Sequence, residues 1–498
     1  MIRYSLLSLF VACVAVYAYR DWFKSLCILI VMMAIIERPD MPKTMLGVPG
    51  LNPFNLILVN VIFAYFLSEL KDKSKAASKL ALPAIYKFFS LFYGLVVFIA
   101  VFRMLGDMAG VEDFNSRIGG NAPGTAYLVQ TYLINGVKWM IPAFLLYAGV
   151  KDEERWRWAT ACLLFCMFLL ALQIIRQMPL GNLTDGTTLQ QRAVRVLGRN
   201  VGYHRVDLST LMSGAVWCFF IIRQYIDVTH KKFILGLLAA SGVCALALLL
   251  TGGRAGIGAC AILGVIFSLV RYRILLIIGP LAAIALVALV PAVQERIFEG
   301  FDESSHENAN LKSGANTIDS EGRDLYAITS GRVLVWPEAV ESIKKAPWIG
   351  YGTKGMLSSY TSQLVMEKHG AGVLFRHPHN AYLELLLDTG LLGAIPIFLL
   401  FVLLLKDSFF LFAANKTKIQ MVSGGICFSL VLTQLIASVG AQTFYPREGV
   451  VLMWCAVALM LRAKYTWTDS PDSSTPLTVA KKPNHPFQVT PLYSKISR

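Results

Sequence analysis

Long apolar segments recur from one end of the sequence to the other, and they constrain the fold more than any other feature. A helix needs about 20 apolar residues to cross the roughly 30 Å hydrocarbon core of a bilayer. The strands of a membrane β-barrel would give segments of about 10 residues that alternate in polarity, whereas these segments are continuously apolar. The sequence therefore predicts an all-α fold, a polytopic transmembrane helical bundle of 12–13 spans. Whether the count is 12 or 13 depends on how the first two apolar segments are assigned. The predicted spans are residues 4–20, 25–37, 53–70, 86–103, 124–149, 156–176, 207–226, 233–251, 255–270, 274–291, 380–405, 420–441 and 449–463.

Composition supports a membrane protein and argues against several other classes. Only 15% of the residues are charged and 56% are hydrophobic, whereas about 25% of the residues of a soluble protein are charged. The formal net charge is +15, but lysine and arginine cluster in alternate short loops, as the positive-inside rule requires of the cytoplasmic side. We interpret the excess charge as a topology signal and predict no nucleic-acid partner. All nine cysteines lie within apolar segments without metal-ligand spacing, so we predict no disulfide, metal site or cofactor.

The basic loops orient the chain as a multi-pass protein of a bacterial inner membrane, with the remaining loops in the periplasm. Two predicted periplasmic loops stand out: an arginine-rich one, and a much longer one that contains a helical pattern. The organisation that follows is N-terminal transmembrane helices (1–176), an Arg-rich periplasmic loop (177–206), central transmembrane helices (207–291), a large periplasmic loop with short helices (292–379), C-terminal transmembrane helices (380–463) and a disordered cytoplasmic tail (464–498).

The long loop carries the pattern Ser330-Gly331-Arg332-x3-Trp336. Arginine at the start of a helix opposes the helix dipole. An anion bound at that N-terminus would remove the conflict, since the backbone N–H groups and the guanidinium would both contact it. The alternative is a solvated residue in the first turn of a helix.

A second pattern, His377-Pro378-His379-Asn380-x2-Leu383, runs directly into an apolar segment. Ionisable groups at the mouth of a membrane helix are costly and usually functional. A neutral imidazole is the most frequent general base, so His379 is the candidate base and His377 a supporting residue. Asn380, Glu384 and Asp388 follow at four-residue steps on one helix face, where a carboxylate would orient the histidine or line a wet crevice. The alternative is an interfacial histidine bonded to the backbone.

Two further arginines lie on the predicted periplasmic side. Arg254 is flanked by glycines in Thr251-Gly252-Gly253-Arg254-Ala255-Gly256, which allow a backbone or a ligand to approach closely. The alternative for Arg254 is an interfacial arginine that extends to lipid headgroups. Arg195 belongs to the loop 177–206, where arginine violates the positive-inside bias.

Guanidiniums that bind bidentately suit a phosphate-rich leaving group, and a base suits an acceptor hydroxyl. The sequence offers no Walker loop, cysteine nucleophile or metal cluster beside them. A lipid diphosphate donor, with its tail in the bilayer, therefore fits better than a soluble nucleotide.

Taken together, Ser-Gly-Arg-x3-Trp, Pro347-x-x-Gly350-x-Gly352, and His-x-His-Asn-x2-Leu followed by Gly390-Leu-Leu-Gly393 resemble the O-antigen ligase and O-antigen polymerase superfamily over about residues 195–405. The resemblance implies a multispanning fold whose periplasmic loop caps a cavity. In that cavity a glycan moves from undecaprenyl diphosphate to an acceptor without nucleotide or metal. It implies that Arg254 and Arg332 bind the diphosphate and that His379 is the catalytic base. Arg195-x-x-Gly198 resembles the arginine of the preceding loop, although Gly202-Tyr-His-Arg205 replaces the asparagine-containing segment that usually follows.

We therefore expect an O-antigen ligase-like glycosyltransferase whose acceptor is a glycan, lipid A-core or a protein. A polymerase that extends the glycan and a protein O-oligosaccharyltransferase are the alternatives within the superfamily. A lipid-linked glycan transporter is the alternative from another class, although paired broken helices at mid-membrane would be expected of it. Sequence alone does not choose among the acceptors.

Overall fold

The computed structural model describes residues 2–45, 48–71, 82–298, 324–370, 373–414, 417–440 and 444–466. The predicted tail beyond residue 466 and much of the polar part of the large loop (299–323) lie outside these ranges. The N-terminal half forms helices α1 (Ile2–Tyr17), α2 (Trp22–Ile36), α3 (Pro53–Lys71), α4 (Ala84–Gly106), α5 (Ala109–Arg117), α6 (Thr125–Leu128), α7 (Asn135–Gly149), α8 (Glu153–Gln177) and α9 (Gly186–Asn200). Between them lie the antiparallel strands β1 (Thr44–Met45) and β2 (Val48–Pro49), a π-helical turn (Val129–Ile134) and a 3-10 turn (Leu180–Thr184).

The C-terminal half is also helical. Its helices are α10 (Arg205–Ile222), α11 (Lys231–Leu250), α12 (Arg254–Val270), α13 (Leu275–Leu289), α14 (Pro291–Phe298), α15 (Leu325–Thr329), α16 (Trp336–Lys345), α17 (Gly355–Ser358), α18 (Thr361–His369), α19 (Ala381–Ala413), α20 (Lys418–Ala437) and α21 (Val451–Thr466). Two 3-10 turns precede α16 and α21, at Arg332–Leu334 and Glu448–Val450. The prediction of an all-α multispanning fold with short helices in the large loop is confirmed.

The number of spans differs from the predicted 12–13. Eight helices in the described ranges are long and apolar enough to cross a membrane, or nine if α13 and α14, bent by 99°, form one broken span. Three further predicted spans are shorter apolar helices, because α1, α2 and α12 have 16, 15 and 17 residues. At about 1.5 Å per residue they reach roughly 23–26 Å, at or just below the lower limit of about 17 residues for a membrane span. The predicted span 124–149 is helical, but the π-helical turn interrupts it.

Two helices near the C-terminus and one near the middle form the centre of the bundle. The apolar windows of α10, α20 and α21 are 72%, 83% and 78% buried, whereas those of α4 and α11 are only 28% buried. The outer faces of α4 and α11 are therefore the surfaces expected to meet lipid. The ends of α10 and α20 carry the polar residues described below.

The large loop is fixed to α19 by a break in that helix. Gly390 has φ 60° and ψ −169° inside α19, and the segment 347–352 inserts its backbone beside the break. The inserted segment replaces helical bonds with four others: Leu391 N–H to Pro347 O (2.8 Å), Leu392 N–H to Trp348 O (3.0 Å), Tyr351 N–H to Leu387 O (2.7 Å) and Gly352 N–H to Asp388 O (2.9 Å).

Glycine is required on both sides of this contact. A Cβ atom on Gly390 would lie 2.3 Å from the carbonyl carbon of Trp348, and one on Gly350 would lie 2.4 Å from the oxygen of Leu387. Both glycines also have φ 60°, in the left-handed region. The motifs Pro-x-x-Gly-x-Gly and Gly-Leu-Leu-Gly are thus the two halves of one contact, which holds the loop over the N-terminus of α19.

We predict that Gly390→Ala destabilises the protein strongly. The φ and ψ of Gly390 are nearly exclusive to glycine and cost about 1–3 kcal/mol for another residue, before the clash with Trp348 is counted. Thermal unfolding in detergent should show a lowered Tm. Gly258→Ala is the matched control, because Gly258 is helical and a Cβ there meets no atom within 4 Å. Equal Tm values for the two variants would contradict the described insertion.

Candidate functional site

Polar residues from several helix ends meet at one end of the bundle. Arg254, the first residue of α12, donates from Nη2 to Ile328 O (3.1 Å) and to Ser330 Oγ (2.9 Å). Arg332 donates from Nη2 to Gly440 O (2.9 Å), just beyond α20. The structure thus brings Arg254 and Arg332 to the same turn of the large loop, although 78 residues separate them in the sequence.

The turn before Arg332 has an unusual backbone. Ser330 and Gly331 are consecutive left-handed residues, with φ 51° and 81°. A Cβ at Gly331 would lie 3.2 Å from the ring of Tyr326. Thr329 then caps the following 3-10 turn by accepting a bond from Val333 N–H (3.0 Å). Strained residues of this kind cluster at binding sites, and here they aim the guanidinium of Arg332 back toward α20.

Arg332 lies in an electropositive environment. Burial lowers its pKa, and the charge of Arg254 lowers it further. Its Nη1 and Nη2 groups bond to backbone carbonyls, of Thr329 (3.2 Å) and Gly440. Its Nε is buried and has no hydrogen-bond partner among the described residues. A buried cation with an unsatisfied donor, close to a second cation, is suited to an anionic ligand.

The two sequence motifs of the large loop hold each other in place. Trp336 donates its indole N–H to Pro378 O (2.9 Å), which fixes the segment between the two histidines. His379 has φ 50°, and Asn380 caps α19 by accepting bonds from Tyr382 N–H (3.0 Å) and Leu383 N–H (3.2 Å). The backbone of His379 is therefore fixed on both sides, by the hydrogen bond from Trp336 to Pro378 and by the capping of α19 by Asn380.

Both histidines are neutral at physiological pH. Their ring centroids are 4.0 Å apart. Burial lowers the pKa of His379 to about 3, and His377 and Arg332 contribute in the same direction. Burial and then Arg447 lower the pKa of His377 to about 4. A neutral ring can accept a proton, and an anion bound beside it would raise its pKa and make it a stronger base.

Arg447 is a member of the cluster that sequence reasoning missed. Its Nη2 pairs with Asp207 Oδ1 at 2.6 Å, and Asp207 is a buried residue in the first turn of α10. The Nε of Arg447 and the Nδ1 of His377 are both buried without a partner in the described part of the chain. The available signal was an arginine in the short predicted periplasmic loop 442–448, which breaks the positive-inside bias.

The predicted carboxylates have different surroundings. Asp388 accepts bonds from Gly355 N–H (2.7 Å) and Tyr445 O–H (2.7 Å), so it joins the large loop to the segment before α21 rather than orienting a histidine. Burial raises the pKa of the Tyr445 hydroxyl, and the charges of Asp388 and Glu384 raise it further. Glu384 is itself buried. Both carboxylates therefore act around Tyr445.

Arg195 stands apart from the cluster. It is an exposed residue of α9, whose buried face consists of Leu189, Ala193 and Leu197. Within the described ranges, no hydrogen bond or ion pair joins Arg195 to Arg254, Arg332 or the histidines. Among the same residues, no group of three or more His, Cys, Asp or Glu side chains could hold a metal ion.

Comparison with known proteins agrees with the motifs. No curated protein matches the chain at a significant level. Residues 237–398 match a family model described as O-Antigen ligase, from α11 to the middle of α19. The matched segment contains Arg254, Arg332, His377, His379, Asn380 and Glu384, whereas Arg195, Asp207 and Arg447 lie outside it. The resemblance inferred from the motifs is thus confirmed over this segment: this membrane protein carries an O-antigen ligase domain at residues 237–398.

Proposed function

We propose that this protein transfers a glycan from an undecaprenyl diphosphate carrier to an acceptor hydroxyl, at the periplasmic face of a bacterial inner membrane. The observation that carries the proposal is the juxtaposition of Arg254 and Arg332 with a neutral, rigidly held His379. Family membership of residues 237–398 supports a lipid-linked glycan as the substrate class. The predicted topology supports the periplasmic side.

In the proposed reaction, Arg254 and Arg332 bind the diphosphate of the donor through charge-assisted hydrogen bonds. The acceptor oxygen attacks the anomeric carbon of the glycan while His379 takes the proton of the acceptor hydroxyl. The new C–O bond forms as the bond from the anomeric carbon to the diphosphate oxygen breaks. The lipid diphosphate leaves with one additional negative charge, which the two guanidiniums stabilise.

The same geometry explains how a weak base becomes useful. Without an anion, the cationic surroundings and burial keep His379 neutral, and therefore ready to accept a proton. The bound diphosphate offsets the positive charge and raises the pKa of His379 toward the working pH, where a general base is most effective. Donor binding would thus activate the base for the acceptor.

Three acceptors are compatible with this reaction. An O-antigen ligase-like enzyme acting on a glycan or lipid A-core is our first choice, since that is the description of the matching family. A polymerase would use a second lipid-linked glycan, and a protein O-oligosaccharyltransferase would use a serine or threonine. A transporter of the lipid-linked glycan would use the arginines but would not need the base.

We predict that His379→Asn lowers the transfer rate by at least about 100-fold, because general-base assistance contributes roughly 10²–10⁴-fold. Asparagine tolerates the left-handed backbone of residue 379, so the fold should be retained. Binding of undecaprenyl diphosphate should be unchanged, and His377→Asn should lose less activity. The measurement is transfer by purified protein from a lipid-diphosphate glycan to lipid A-core.

His230→Asn is the matched control, since His230 is exposed and lies just before α11. It should transfer at the wild-type rate. Wild-type transfer by His379→Asn would contradict the assignment of the base. Full transfer by both His379→Asn and His377→Asn would place the base elsewhere, whereas a wild type that binds the lipid-linked glycan but transfers it to no acceptor would favour a transporter.

A second prediction concerns protonation at pH 5. An ordinary histidine, with a pKa near 6.5, is mostly protonated at that pH, whereas His379 should be neutral in the free protein because its pKa is about 3. Adding undecaprenyl diphosphate should raise the pKa and shift His379 toward the protonated form. NMR of ¹³C-labelled histidine, assigned by comparison with His379→Asn, measures this change. A His379 already protonated in the free protein at pH 5 would contradict the electrostatic account.

A further inference from the structure

A polar cavity of about 250 Å³ is lined in part by Arg447, the residue that pairs with Asp207. Its walls come from α4, from the π-helical turn with the start of α7, and from the segment 445–448. Polar groups on those walls include the hydroxyl of Thr131, the amide of Asn135 and the carboxylate of Glu448. Aromatic side chains of Tyr132 and Trp139 lie beside them.

The π-helical turn explains why these groups face a cavity. A π-helical turn adds a residue to the normal helical turn, is rare, and is found frequently at functional sites. Here it covers Val129–Ile134 and is followed directly by Asn135. The side chains of Thr131 and Asn135 are half-buried, and neither makes a hydrogen bond to another residue within the described ranges. They are therefore available to a ligand.

The lining indicates the chemistry of that ligand. Arg447 is paired with Asp207, and Glu448 adds a negative charge, so this cavity lacks the excess of positive charge found around Arg332. A phosphate group is thus disfavoured. A lipid chain is also disfavoured, because amide, hydroxyl and carboxylate groups would lose their hydration without a partner. Hydroxyl groups on a ring with apolar C–H faces match both the polar and the aromatic walls.

A second cavity provides the contrast. It has about 330 Å³, lies between α4 and α19, and is lined mostly by apolar side chains such as Phe92, Val96, Ile99 and Leu392. Such a lining suits a hydrocarbon chain, whereas the lining of the polar cavity does not. The two cavities therefore favour different parts of the substrates.

Arg447 connects the polar cavity to the reaction centre. It lines the cavity, pairs with Asp207 and acts on the pKa of His377, whose ring lies 4.0 Å from that of His379. Arg332 acts on His379 directly. The histidine pair is thus coupled electrostatically both to Arg332 and to Arg447, which lines the polar cavity.

We propose that the cavity lined by Thr131, Asn135, Trp139, Tyr445, Arg447 and Glu448 binds a sugar ring of the acceptor. This inference rests on the proposed function, and it narrows the acceptor to a glycan or glycolipid rather than a serine or threonine of a protein. At about 250 Å³ the cavity lies just under the usual range of about 300–1,000 Å³ for small-molecule sites. It therefore suits a single ring rather than a chain of several.

The test compares Thr131→Val and Asn135→Ala with Thr125→Val and Gln130→Ala. Thr125 and Gln130 are exposed neighbours on the same helical segment that do not line the cavity. Transfer is measured with lipid A-core, with lipid-linked glycan and with a serine-rich peptide as acceptors. Loss of one hydrogen bond should raise KM for the sugar acceptor about fivefold or more, while KM for the donor stays constant. The two controls should match the wild type.

Three results would overturn the inference while the proposed function stands. These are an unchanged KM for the acceptor in both cavity variants, a raised KM for the donor instead, and transfer to the peptide with no transfer to either sugar acceptor. Absence of transfer by the wild type to any acceptor would count against the proposed function itself. Saturation-transfer NMR with the lipid A-core saccharide then tests the cavity directly. Binding that is lost in Thr131→Val would support the inference, and no binding to the wild type would overturn it.

Discussion

Two guanidinium groups held close together at the end of a helical bundle impose the constraint on which this structure depends. Arg254 and Arg332 share one turn of the large loop, and each repels the other. Backbone carbonyls accept hydrogen bonds from Arg332, whose Nε is buried without a partner in the described part of the chain. An anion bound there would satisfy this donor and offset the positive charge. The neutral state of the two nearby histidines follows from burial and from the same positive charge.

Such a cluster needs a rigid support, and the contacts of the large loop provide it. The backbone inserted at Gly390 fixes the loop to α19, and Trp336 fixes the segment that carries the histidines. Asn380 then ends that segment as the cap of α19. The residues closest to the proposed chemistry are thus held by helix ends rather than by a free loop, which keeps the base and the arginines at a constant separation.

The sequence predicted the fold class, and it singled out the arginines and histidines that the structure brings to one end of the bundle, because both leave local signals. Apolar segments and loop charges indicate spans, and the arginine and histidine motifs indicate polar groups where membrane proteins rarely have them. The 12–13 predicted spans include three apolar helices of 15–17 residues, since apolarity identifies a short helix as readily as one long enough to cross the bilayer. Arg447 and Asp207 were missed because their pairing joins residues 240 positions apart, which only the packing of α10 against the 3-10 turn before α21 reveals. Arg195 carries the expected charge, but the fold leaves it exposed on α9.

Direct binding of the diphosphate to Arg332 tests the central claim. Affinity for undecaprenyl diphosphate should be measured in detergent for the wild type, for Arg332→Lys and for Arg273→Lys, an exposed arginine between α12 and α13. Lysine loses at least one charge-assisted hydrogen bond, worth about 1.5–3 kcal/mol, so Arg332→Lys should bind roughly 10- to 100-fold more weakly. Arg273→Lys should bind like the wild type. Equal affinity in all three proteins would show that the guanidinium cluster does not hold the diphosphate, and would contradict the account.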